Sequence, residues 1–145
     1  MAVERKFIKS FEYESFENWQ LIGKGGFGTV FSAYSKDTDQ IVALKRLHYC
    51  PTSDNEDSFD EFAREVKNIT KVDHHICIIR FFGITQDPTN KLHYMVLQFA
   101  NNGDLRSYLH EHFSELNWST KIKMAKEISS GINCLHNANI IHRDL

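Results

Sequence analysis

The hydrophobic residues of this chain change their period near residue 100, and that change limits the folds open to it. Before it, short runs rich in β-branched and aromatic residues alternate with turn residues. They are "NWQLIGKGG", "GTVFSAY", "IVALKRL" (41–47), "IIRFFGI" (78–84) and "KLHYMVLQF" (91–99). Such runs read as strands, the first three as a meander. After Asn101-Asn102-Gly103 the spacing becomes helical. Leu105, Tyr108, Leu109 and Phe113 fall on one face, and Trp118, Ile122, Ala125, Ile128, Ile132 and Leu135 stripe a second, longer helix. One helix interrupts the strands. It follows Pro51, with Ser53 or Asp54 placed to cap it. Glu56, Asp57, Asp60 and Glu61 load its first turns, where the helix dipole is positive. Phe59, Phe62, Val66 and Ile69 mark its buried face. The predicted order is β-β-β-α-β-β, then α-α. This is an α+β arrangement with strands and helices segregated into two lobes and a cleft between them.

Composition adds exclusions. The chain has 145 residues, the size of one modest domain or most of one. Its net charge of −2 gives no broad pull toward nucleic acid or anionic membrane. No apolar run approaches a membrane span, and the N-terminus lacks the apolar core of a signal peptide. Cys50, Cys77 and Cys134 are odd in number and lack metal-ligand spacing, so they read as reduced thiols of a cytoplasmic protein. The eight histidines read as surface or structural groups, and no metal site is expected.

Chemistry enters at "GKGGFGTV", which matches G-x-G-x-x-G-x-V at Gly23, Gly25, Gly28 and Val30. Small residues let a backbone approach phosphate oxygens and point amide groups at them. The motif alone is weak, because a glycine-rich hairpin has the same composition. A dinucleotide turn should open a helix and be followed by an acid about 20 residues on. Here strand residues follow, and position 48 is His. A Walker loop needs Gly-Lys-Ser/Thr at its end, whereas Gly28 precedes Thr29-Val30.

"VALK" sets Lys45 in the third strand, on the same face as Ala43 and toward the glycine loop. It reads either as an edge lysine with its head in water or as an inward cation that needs a partner. At about 100° per residue, Glu65 borders the buried stripe of the helix, while Glu61 and Asp60 lie further round. Glu65 is the acid best placed to reach inward, and a solvated glutamate is the rival reading.

The chain closes on "NIIHRDL" (139–145), an acid behind His-Arg after a hydrophobic run. A glycine loop in a hairpin, a lysine in the next strand, a glutamate in the following helix and His-Arg-Asp after a long helix together resemble the protein-kinase domain. The resemblance covers about residues 17–145. It implies a kinase-like fold with a five-stranded antiparallel N-lobe and one helix (17–98), a hinge (99–102) and the first C-lobe helices (103–145). Residues 1–16 are then an N-terminal extension.

The resemblance also implies roles. Gly23, Gly25 and Gly28 would cover the ATP phosphates, with Phe27 at the loop tip. Ile22, Val30 and Ala43 would pack on adenine. Lys45 would hold the α- and β-phosphates and pair with Glu65. "VLQFANNGDL" is similar to the inter-lobe hinge, with Leu97 as gatekeeper, backbone groups of Gln98 and Ala100 on adenine, and Asp104 near the ribose. Asp144 would accept or orient the substrate hydroxyl proton. The partners implied are ATP with Mg2+ and a protein substrate; the hinge is similar to tyrosine-kinase-like serine/threonine kinases, which implies a Ser/Thr acceptor, with Tyr as the alternative. No nucleic-acid or membrane partner is expected.

Two departures stand out. "HIC" at 75–77 replaces the family's His-Pro-Asn, so a different helix-to-strand turn is expected. The catalytic-loop Asn and the Asp-Phe-Gly metal ligand do not occur in these 145 residues. The chain alone is therefore expected to transfer little phosphate and to self-associate through its helical stripe. A non-catalytic nucleotide-binding or interaction remnant that regulates an intact kinase is the alternative.

Overall fold

The structure is a computed structural model describing residues 7–26, 28–47 and 56–143, with 56–58 described by backbone alone. Phe27, Asp144 and the expected cap at Ser53 or Asp54 lie outside the described residues. The chain forms two compact units, Met1–Thr70 with Arg80–Phe99, and Lys71–Ile79 with Ala100–Leu145.

The first unit is built on β1 (Ser10–Phe11), β2 (Phe16–Gly25), β3 (Gly28–Ser35), β4 (Gln40–Leu47), β5 (Phe81–Gln86) and β6 (His93–Gln98), with α1 at Glu56–Val72. The sheet order is β1-β5-β6-β4-β3-β2. All pairs are antiparallel except β1 on β5. The sheet is thus mixed and six-stranded, not the five antiparallel strands predicted.

The unbroken run Val42-Ala43-Leu44 is buried at every position, as a strand covered on both faces must be. One face carries Ala33, Val42, Leu44, Tyr94 and Val96 with Phe11 and Phe16. The other carries Leu47, Phe81 and Met95 beneath Phe62 and Val66 of α1.

The extra strand explains how the first face is closed. Its residues fall within the 1–16 stretch predicted as an extension. Ser10 and Phe11 pair with Ile84 and Thr85. The Ile84 amide donates to the Lys9 carbonyl at 2.9 Å, and the Thr85 hydroxyl donates to the Phe11 carbonyl at 2.9 Å. Tyr13 then joins an aromatic cluster with Trp19 and Tyr94. Burial first, and then Tyr94 and Asp87, push the Tyr13 phenol up to about 12. A bulge in β2 at Asn18, φ 55°, brings Trp19 to the same side as Phe16. Without the extra residue the pleat would turn them to opposite faces. A two-residue strand signals too little periodicity to be read from sequence.

The expected strand at 78–84 starts late, at Phe81. Ile78 donates its amide to the His75 carbonyl at 3.0 Å and so belongs to a turn. In that turn the His75 Nδ1 accepts from the Cys77 amide at 3.1 Å, which leaves Nε2 to carry the proton opposite the Ser130 hydroxyl at 3.3 Å. His75 therefore organises the turn that the departure from His-Pro-Asn left open.

That contact ties the turn to the second unit's long helix. The helices of this unit are α2 (Leu105–His112) and α3 (Trp118–Asn137). Asp104 and Asn117 cap them, accepting from the Ser107 and Thr120 amides. Gly131 lets α3 approach the turn, because a Cβ there would sit 3.0 Å from the Cys77 carbonyl. Cys77 and Cys134 are free thiols. Among the described residues no helix is long and apolar enough to cross a membrane.

The docking of β1 hangs on Gly83. Its φ is +156°, and a Cβ would lie 2.1 Å from the Lys9 carbonyl oxygen. Gly83→Ala should expel the N-terminal strand and cost about 2 kcal/mol or more. Phe11→Ala should cost about 3 kcal/mol. Urea unfolding of the whole chain measures both, and losses under about 1 kcal/mol would show that the strand is only an appendage.

Candidate nucleotide-binding site

Strand register brings the candidate residues of the first unit into two rows. Gly23 pairs with Val30, Val30 with Lys45, and Lys45 with Met95. In the next row Ser32 pairs with Ala43 and Ala43 with Leu97. Residues directly opposite share a face, so Val30, Ala43, Lys45 and Leu97 lie on the side that α1 covers. Ile22 is exposed beside Gly23. Met95 belongs to this face too. It was missed because a buried methionine in an apolar strand carries no chemical signal.

The glycines divide by cause. A Cβ on Gly28 would lie 2.4 Å from the Arg46 carbonyl oxygen, so close approach of β3 to β4 demands glycine there. Gly23 and Gly25 have open space where a Cβ would go, and neither has a positive φ. Nothing in the protein's own packing requires them. Two positions without side chains, one residue apart on an exposed strand, leave backbone amides accessible to an anion.

Lys45 finds the partner predicted for it. Its Nζ lies 3.1 Å from the Glu65 Oε1. Burial of Phe62 and Val66 seats α1 on the sheet, and Glu65 stands between them in sequence at the edge of that contact. The side chains are 27% and 44% exposed. Screening at such exposure limits the pair to about 1 kcal/mol or less. Its value is positional, because it holds an ammonium group in line with Gly23 and Val30.

Gln98 uses its amide N–H on the Arg80 carbonyl at 2.8 Å, and its side-chain oxygen accepts from the Arg80 amide at 3.2 Å. With its backbone N–H engaged, a backbone contact to a ligand would go through its carbonyl. In the second unit, Ala100 opens a turn closed by the Gly103 amide at 3.4 Å, and Gly103 takes a φ of +73° that favours glycine. Asp104 accepts from the Ser107 amide and hydroxyl, each at 2.9 Å. Those bonds hold its carboxyl below the usual range. Its helix-cap role was not separated from a ligand role in the sequence.

At the end of α3 the chain turns by a defined motif. Asn139 adopts φ 58°, its amide donates to the His136 carbonyl, and the Ile140 amide donates back to Leu135 at 2.9 Å. This is a Schellman stop with Asn in the left-handed position. It launches Ile140-Ile141-His142-Arg143, and Arg143 is itself at φ 69°.

A concavity lined in part by Lys71, His75, Asn133 and Cys134 contains none of the candidate residues. Among the described residues no group of His, Cys, Asp and Glu is arranged to hold a metal ion. The open glycines and the paired lysine suit a polyphosphate, whereas magnesium ligands are not found among them.

The family model for protein tyrosine and serine/threonine kinases matches residues 16–145. The chain is similar to LIM domain kinase 1 of Drosophila melanogaster, 32% identical over 126 residues, covering 87% of this chain and 10% of that protein. It is 33% identical over 137 residues to the probable serine/threonine-protein kinase kinX of Dictyostelium discoideum, covering 94% of this chain and 12% of the relative. Human serine/threonine-protein kinase TNNI3K is 36% identical over 132 residues, covering 87% of this chain and 15% of the relative. The chain thus spans a small part of the relatives it matches. With the lysine–glutamate pair and the open glycine hairpin in register, the chain belongs to the protein tyrosine and serine/threonine kinase family.

Proposed function

We propose that this chain is the ATP-binding portion of a cytoplasmic protein kinase that transfers the γ-phosphate to serine or threonine hydroxyls of a protein substrate. The observation that carries the reading is the Lys45–Glu65 pair at 3.1 Å, in register with Gly23 and Val30. Backbone amides of Gly23, Gly25 and Gly28 would receive the phosphates, with Phe27 over them. Lys45, oriented by Glu65, would neutralise the α- and β-phosphates. Ile22, Val30 and Ala43 would sandwich adenine, with Leu97 limiting the depth of the pocket. The carbonyl of Gln98 and the backbone of Ala100 would read the adenine edge, and Asp104 the ribose. Asp144 would orient the acceptor hydroxyl. Among the described residues no group of His, Cys, Asp and Glu is arranged to hold magnesium, which when bound with the nucleotide would supply charge neutralisation.

Catalysis of this kind is positioning and charge neutralisation rather than covalent chemistry. The residues of this chain supply the nucleotide side of that task. Similarity to kinX and TNNI3K, both named serine/threonine kinases, supports Ser/Thr over Tyr acceptors.

Titration with a fluorescent ATP analogue tests the reading. Lys45→Met should weaken binding roughly tenfold, about 1.4 kcal/mol. Glu65→Gln should weaken it while changing stability by less than about 1 kcal/mol. Gly25→Ala should lower affinity with the fold intact, whereas Gly28→Ala should also unfold the hairpin because of the Arg46 carbonyl. Unchanged affinity in Lys45→Met would sink the proposal.

Trp118, Ile122 and Ile128 are exposed along α3, which supports self-association of the chain. Light scattering across a concentration series should show mass rising above the monomer, and Ile122→Lys with Ile128→Lys should restore it. A constant monomer mass would count against association.

A further inference from the structure

The ion pair of the site is only as well placed as α1, and one polar side chain stands under that helix. His93 opens β6 on the same face as Met95 and Leu97, opposite Gln86 of β5. Its imidazole meets two rings of α1. Phe59 lies 5.4 Å away, edge-on, and Phe62 lies 5.3 Å away, tilted. Phe62 is buried, while Phe59 is 53% exposed, so the Phe59 contact is the outer edge of the helix–sheet seam. Glu65 follows Phe62 by three residues, one helical turn.

We propose that His93 is a positioning residue for the Lys45–Glu65 pair: its neutral ring seats Phe59 and Phe62, and protonation unseats α1 and withdraws Glu65 from Lys45. The proposal rests on reading that pair as nucleotide-holding.

The surrounding charges favour a neutral ring. On β4, Lys45 pairs with Met95, two positions from His93 on the same face, so an imidazolium would face a like charge. On β5 the opposite residue is neutral Gln86. Asp87 lies on the other side of the sheet, beside Tyr13. On α1, Glu65 borders the apolar stripe and is taken by Lys45, while Asp60 and Glu61 lie further round the helix. The two phenylalanines offer a cation some attraction, but not enough to offset lost hydration, because burial lowers the His93 pKa below its usual 6.5. The sign follows. As pH falls below 6.5, the unfolded chain takes up a proton that the native ring resists, so stability falls until the native ring is protonated. The contribution is fully present above that range.

The test is an NMR titration of the full 145-residue chain from about pH 8 to about pH 5, a range that brackets histidine titration. The His93 Cε1–H signal and the Glu65 carboxyl 13C signal are followed together. Both should inflect at one midpoint below 6.5, and the Glu65 inflection should vanish in His93→Phe, which keeps a ring that cannot titrate. Affinity for the fluorescent ATP analogue should fall about fivefold more in the native chain than in His93→Phe over the same range, roughly 1 kcal/mol. His93→Gln gives the same comparison should the phenylalanine variant misfold. A Glu65 signal with no matching inflection, or one that persists in both variants, overturns the proposal. Matched inflections with no nucleotide binding at any pH uphold it and sink the nucleotide reading instead.

Discussion

Burial of β4 on both faces is the constraint from which the first unit follows. Val42 and Leu44 face one apolar layer, and Ala43 and Leu47 the other. Each large aliphatic side chain removed from water contributes about 1.5–3 kcal/mol. A strand in that position cannot do without either cover. On one side the cover is α1. On the other it is the aromatic group of Phe11, Phe16, Tyr13 and Trp19. Lys45 stands on this doubly covered strand, so its cation emerges at the edge of a core and its direction is set by packing.

The site is built from weak interactions placed by strong ones. The Lys45–Glu65 pair is partly exposed and contributes little to stability. Phe62 and Val66 hold α1 in place, and Glu65 travels with them. The glycine hairpin divides in the same way. Gly28 serves the β3–β4 packing, while Gly23 and Gly25 serve no contact within the protein. A motif of three glycines thus mixes one structural requirement with two positions free for a ligand.

Much of this was legible in the residues. Glu65 could be picked from the helix acids because an amphipathic stripe fixes which side chains border it. The strands around Gly23 and Lys45, and the long helix before His142, follow from period alone. Other features were not legible. Ser10-Phe11 is too short to show alternation, and its partner β5 lies more than 70 residues away along the chain. The late start of β5 came from His75, whose ring nitrogens organise a turn that the sequence could mark only as a departure. Asp104 carries the same residue type whether it caps a helix or meets a ligand, and its bonds to Ser107 supply the first role.

The sequence by itself determined the kind of elements, their order and the residue types of the candidate site: glycines in a hairpin, a lysine in a strand and a glutamate on a helix edge. These are local properties, encoded in spacing and in what each backbone position tolerates. Only the tertiary structure decided which strand closes the sheet, which glycines packing requires, and that Lys45 and Glu65 lie 3.1 Å apart. Those facts depend on contacts between residues distant along the chain, where burial and close approach decide and no local pattern records the outcome.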